Sequence, residues 1–349
     1  MYGQQIFTST KENTKYAYAV GRLRALETRL LDSMAIARLL EAESASELLK
    51  TLSEGEYEGS LSDIREPGDF ETALSIEMER IYTLVSEFSL DPELTEIFRA
   101  KWDFHNLKVL LKSSYLEESS SGRDDILVAS GLIPIEYLKA FVVPTDEQVS
   151  GEIPAYIIRA FEDARTEYEE SQSPQMIDIV IDNHLQDFLY RQAADYPNPF
   201  LCGYFEAVAD LANIRSFIRI KMLDESMKLL DAVLLPHGSL DRERFMKHFD
   251  ETVENLAASL SNTPYADLVA EGVRRWSEEH SLAAYERLSD NYLINYIKPA
   301  KYIVFGLEPL IGYLLAKEHE MKLIRIVMIG KLNDLPAEAI QERLRETYV

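Results

Sequence analysis

The chain has one cysteine in 349 residues. Cys202 therefore has no partner for an internal disulfide and no second thiol for a zinc site or redox pair, and a reducing, cytosolic setting suits it best. Glycine and proline are scarce, at 14 and 13 residues, too few for a linker-rich or low-complexity protein. Long apolar runs are missing as well. The longest, Tyr302 to Ala316, is broken by Glu308 and Pro309 and falls short of the roughly 20 residues that a membrane-spanning helix needs. Met1 to Lys15 is polar and lacks the basic-then-apolar order of a signal peptide. Basic side chains are outnumbered 60 to 36 by acidic ones, for a formal net charge of -24. A field of that sign repels phosphates and anionic headgroups, which argues against nucleic acid and against direct membrane insertion or binding. The same acidity serves solubility or adaptation to salt, or is tuned to one partner.

Catalytic motifs are also absent. Gly330-Lys331 is followed by Leu332 where a phosphate loop requires Ser or Thr, and no Gly-x-Ser-x-Gly or Gly-x-Gly-x-x-Gly occurs. His319-Glu320 opens like a zinc-protease helix but has Leu323 where the second His must stand. The histidines, at 105, 184, 237, 248, 280 and 319, are never four apart, so no two share a helix face as ligands would. No catalytic residue, metal ligand or cofactor-binding residue is assigned. The chain reads as a non-enzyme without a cofactor.

What is present is helix. Apolar residues recur at helical spacing, as in Leu23, Leu26, Leu30 and Met34 with Arg22, Arg24, Glu27 and Arg29 between them. Turn-forming clusters fall at 117–125 (EESSSGRDD), 151–154, 196–199 (YPNP), 236–239 (PHGS) and 262–264. One helix pattern occurs three times. Asp103-x-x-Asn106-Leu107-Lys108-x-x-Leu111-Lys112 matches Asp210-x-x-Asn213-Ile214-Arg215-x-x-Ile218-Arg219 at an offset of 210 − 103 = 107 residues. A third copy starts at Glu320, 110 residues further on, keeping the acid, Ile324, Arg325 and Met328 but replacing Asn with Leu323 and the second base with Ile329. The segments after the copies also correspond: SGLIP at 130–134, HGSLD at 237–241 and NDLP at 333–336 each open a new helix, with Asp241 and Asp334 in the N-cap region and Pro336 in a first turn. Further on, 38–57 resembles 247–265, so the repeating unit is several helices long. The units are placed at 34–125, 126–235 and 236–333, with a leading helix in 1–33 and a C-terminal tail helix in 334–349.

On a 3.6-residue helix Leu107, Leu110 and Leu111 make one stripe and Lys108 and Lys112 another; Ile214, Phe217 and Ile218 against Arg215 and Arg219 repeat it. A basic stripe is either a solvated face or, in a chain this acidic, a place that receives an acidic partner. Asn106 and Asn213, weak helix formers inside a helix, either bridge to neighbouring backbone or contact a ligand.

YAYAVGRLRALETRLL at 16–31, the repeated acid-x-x-Asn-aliphatic-base helices and the closing segment Glu320 to Lys331 together resemble the C subunit of prokaryotic V-type or A-type ATP synthases, a family related to the d subunit of eukaryotic vacuolar ATPases. The resemblance runs from about Tyr16 to Val349, with departures at Leu323, Ile329 and the Ser-rich Ser119 to Ser121. It implies an all-α fold of three similar domains arranged with pseudo-threefold symmetry as a funnel. It further implies a non-catalytic rotor subunit, peripheral on the inner face of the cell membrane, that seats central stalk subunits D and F and rests on the membrane proteolipid ring. Under this reading Lys108, Lys112, Arg215, Arg219, Arg325 and Lys331 line a basic socket for the stalk, with Asn106 and Asn213 setting helix contacts beneath. The alternative is a generic α-helical repeat scaffold for protein assembly, whose units usually run about 20–50 residues.

Overall fold

A computed structural model describes residues 14–62, 64–115, 126–143, 151–196 and 198–349. Among these every regular element is helical. The Ser-rich turn segment at 117–125, most of Met1 to Lys15, and Pro197 lie outside the described residues.

The chain divides into two compact units, one holding residues up to Pro92 together with Glu251–Val349, the other Glu93–Asp250. The first unit opens with α1 (Ala17–Glu27), α2 (Ser33–Glu41), α3 (Ala45–Ser53), α4 (Glu58–Leu61) and α5 (Phe70–Phe88). The second runs through α6 (Glu93–Tyr115), α7 (Ile135–Val142), α8 (Ala155–Ser171), α9 (Pro174–Ala194), α10 (Pro199–Met222), α11 (Met227–Val233) and α12 (Arg242–Lys247). The chain then returns to the first unit with α13 (Val253–Ser259), α14 (Ala266–Glu279), α15 (Ala283–Ile297), α16 (Glu308–Leu332) and α17 (Ala337–Gln341). The cut at Pro92/Glu93 places α6, the first signature helix, with the elements that follow it. In the second unit α8 and α9 form an antiparallel pair against α6, with Phe104, Leu107, Leu111, Ile157, Ala160, Ile177 and Ile181 in one core. In the first, α16 runs through the middle, in contact with α1, α2, α3, α5 and α15.

Local signals account for the helix ends. Asp32, Ser44, Ser226 and Thr252 accept from the backbone N–H three residues on, satisfying first-turn donors. Each signature helix opens at or just after a polar residue and a proline: Asp91-Pro92, Asn198-Pro199 and Glu308-Pro309, each pair beginning twelve residues before its acid. The fixed φ and missing N–H of proline suit a first helical turn. The leading apolar stripe does not continue as read. α1 stops at Glu27 and α2 starts at Ser33, so Leu23 and Leu30 are buried while Met34 is 73% exposed. Asp334 is likewise not an N-cap: it follows α16 with φ 52°, as Asp224 follows α10, and Pro336 occupies the N-cap of α17.

Candidate functional site: three base-striped helices and their loop clamps

The long signature helices bury their aliphatic stripe. Leu107, Ile214, Phe217, Ile218, Leu323, Ile324, Val327 and Met328 are all buried. The acid of each copy is buried too, Asp103 and Asp210 fully and Glu320 nearly so. A buried carboxylate needs donors, and in α6 and α10 the donors are backbone N–H groups of a downstream loop. Asp103 Oδ1 accepts from Leu132 N at 2.9 Å and Ile133 N at 3.0 Å. Asp210 accepts from Ser239 N at 3.1 Å, Leu240 N at 2.9 Å and the Ser239 hydroxyl. The approach is so close that a Cβ on Gly131 would lie 2.3 Å from Asp103 Oδ1, and one on Gly238 2.3 Å from Asp210 Oδ1. Only glycine fits at either place.

The asparagines act on the same loops. Asn106 donates from Nδ2 to Val128 O at 2.8 Å and accepts from Val128 N at 2.8 Å. Asn213 makes the same pair with Leu235, at 3.0 and 2.7 Å. Each amide thus imitates a strand partner for one loop residue and consumes both of its backbone groups.

The two acids differ at the second oxygen. Asp103 Oδ2 is buried with no hydrogen-bond partner, because the Leu132 N–H goes to Oδ1 and Leu132 has no hydroxyl, whereas Ser239 gives both its N–H and its hydroxyl to Asp210 Oδ2. Burial pushes the Asp103 carboxyl up to about 6, against the pull of the Ile133 and Leu132 amides and the Arg99 guanidinium.

The third copy holds its acid in a different setting. Glu320 Oε1 accepts from the Tyr57 hydroxyl and from Lys317 Nζ, both at 2.7 Å, and Lys317 Nζ also lies 3.3 Å from Glu77. Glu77 is completed by Ser60 and Arg80. Burial pushes the Glu77 carboxyl up, but Arg80 and Lys317 outweigh it and the net shift is downward. Burial and the neighbouring Glu320 raise the Tyr57 hydroxyl well above its usual range.

Lys108, Lys112 and Arg325 are ion-paired within their own unit. Lys108 Nζ lies 2.7 Å from Asp182, and Lys112 Nζ 2.8 Å from Asp178, one turn apart on α9. Arg325 forks onto Glu71 of α5 at 2.5 and 2.8 Å. Arg215 and Arg219 are exposed on α10, and Lys331 is half-buried in the last turn of α16. Sequence reasoning missed the clamping acids and the acids that face the bases. Both signals were present: SGLIP and HGSLD stand at the same 107-residue offset as the acids, and Asp178, Asp182 and Asn183 recur as Glu286, Asp290 and Asn291.

Elsewhere, burial raises the Cys202 thiol, with Glu206 adding to the effect, so this cysteine is no activated nucleophile. Among the described residues no group of His, Cys, Asp or Glu is arranged to hold a metal ion, and no helix is long and apolar enough to cross a membrane.

The repeated helices, clamps and ion pairs extend over the region that comparison with known proteins also covers. The chain is 27% identical over 326 residues to the C subunit of the V-type sodium ATPase of Enterococcus hirae, spanning 93% of this chain and 97% of that one. It is 23% identical over 342 residues to the C subunit of the A-type ATP synthase of Methanocaldococcus jannaschii, covering 94% and 86%. The corresponding protein of Methanothermobacter thermautotrophicus is 27% identical over 344 residues, covering 94% and 87%. A family model, that of the ATP synthase (C/AC39) subunit, matches residues 19–343, and the chain belongs to this family.

Proposed function

We propose that this chain is a non-catalytic rotor subunit of a V/A-type rotary ATPase. In this reading three similar helical modules surround a central cavity that seats the central stalk, subunits D and F, while the opposite face rests on the membrane proteolipid ring. The chain carries torque between ATP chemistry and proton or sodium transport, peripheral to the inner face of the cell membrane. The observation that carries the proposal is the family match over 19–343, with relatives named as the C subunit of such complexes aligned over nearly their whole lengths. The physical character of the chain supports it. Close-packed helices with buried, hydrogen-bonded loop attachments resist deformation, as a part under torsion must.

The bases of the signature helices are proposed to meet acidic groups of the stalk. Arg215 and Arg219 are the exposed representatives. Lys108, Lys112 and Arg325 already hold an internal acid in half-exposed pairs, which exchange partners at small cost; Lys331 completes the set. Affinity purification of the full chain from its native membranes tests the assignment: proteolipid ring and stalk subunits should accompany it, and their absence would refute it. Reversing both charges, Arg215→Glu with Arg219→Glu, should weaken stalk binding most at low salt, where screening is least. Binding that is unaltered there removes these residues from the socket.

A further inference from the structure

In the second unit one clamp occurs twice. Ile133, held by Asp103, directly precedes Pro134, the N-cap of α7; Leu240, held by Asp210, directly precedes Asp241, the N-cap of α12. Each signature helix therefore fixes, through its acid, the loop that launches a short helix 30 residues downstream. Glu320 has the same place in α16. Its Oε2 instead accepts the N–H of Leu31, 289 residues upstream. Leu31 directly precedes Asp32, the residue whose side chain caps α2 at 2.7 Å from Ala35 N.

We infer that the N-terminal loop Thr28 to Asp32 is the third clamped loop of the repeat, so that the chain closes head to tail through a non-covalent clasp between Glu320 and Leu31. Two departures of the third copy then have a physical reason. The bridging asparagine serves the residue five before the clamped one, Val128 before Ile133 and Leu235 before Leu240. Five before Leu31 is Leu26, which lies inside α1 and whose carbonyl already takes the N–H groups of Thr28 and Arg29. With no open backbone pair to bridge, the position carries the buried Leu323. The glycines that let the first two loops approach, Gly131 and Gly238, stand two before the clamped residue; the counterpart here is Arg29, which carries a side chain. A loop held further off needs a longer acid, and Glu320 is one methylene longer than Asp103 or Asp210.

The clasp has support on both sides. Arg24 donates to Ala300 O and Ile303 O at 3.0 and 2.7 Å, and the Tyr348 hydroxyl donates to Glu27 at 3.4 Å. The first two loops are tethered to their signature helices by the chain itself. The third is joined to its helix only across 289 residues of chain, against 30 for the other two, so it is the place at which the repeat opens when it opens.

Residue-resolved amide hydrogen exchange on the full chain tests this, with Ile133 and Leu240 as internal references. In the wild type the Leu31 amide should be protected as those two are. Glu320→Gln keeps the shape and one acceptor oxygen but replaces a charge-assisted bond with a neutral one, so Leu31 should exchange about tenfold faster while Ile133 and Leu240 do not change. A Leu31 amide that exchanges in the wild type like an unbonded loop amide would overturn the inference, whatever the variant does. So would a Leu31 rate untouched by the substitution.

Discussion

Asp103 and Asp210 do one task in unlike surroundings. The second oxygen of Asp210 accepts both the N–H and the hydroxyl of Ser239, whereas the Leu132 N–H goes to Oδ1 of Asp103 and Leu132 has no hydroxyl, which leaves Oδ2 bare. Burial pushes the Asp103 carboxyl up to about 6 from its ordinary 3.8. A carboxyl raised in the folded state binds its proton more tightly there than in the unfolded chain. Its contribution to stability is therefore full below pH 3.8 and is lost as the pH rises through about 6. Leu132→Ser supplies the missing donor, and a carboxyl NMR titration should then show the Asp103 value falling; an unmoved value would count against the orphaned oxygen as the cause. The asparagines make a stability prediction. Asn213→Ala strands both backbone groups of Leu235 and should cost about 2–6 kcal/mol in denaturant unfolding, at roughly 1–3 kcal/mol for each unsatisfied group.

At the scale of the helix, the signature helices carry charges of very different weight. Lys112 and Asp178 are roughly one-third exposed, so Lys112→Ala should change stability by less than about 1 kcal/mol. Lys317 is 1% exposed and lies between Glu77 and Glu320, so Lys317→Met leaves two buried carboxylates facing each other and should cost about 3–5 kcal/mol. Equilibrium urea unfolding of the two variants compares them directly. This contrast also explains what could be read from sequence. The helices and the copies at Asp103 and Asp210 were legible because each copy repeats its own hydrogen-bonding demands at fixed spacing. The internal ion pairs were not: a Lys on a helix face looks alike whether it meets water or an aspartate on α9. The partner of Glu320 was hidden further still, 289 residues away in a loop with no periodic signal of its own. The leading stripe misled for a related reason, since Met34 keeps helical spacing with Leu23 across a loop that resets the register.

At the scale of the whole molecule, family membership and the chemistry of the site point the same way. Asp103, Asp210, Asn106 and Asn213 are spent on fixing loops to helices. Such construction is in keeping with the proposed rotor role. Mechanical coupling between ATP chemistry and ion movement is tested most directly by measuring ATP-driven ion transport in membranes whose complex lacks the chain, before and after the purified chain is added back. ATP hydrolysis without transport is expected in its absence, and transport should return on addition. Transport that runs at full rate without the chain would contradict the coupling role.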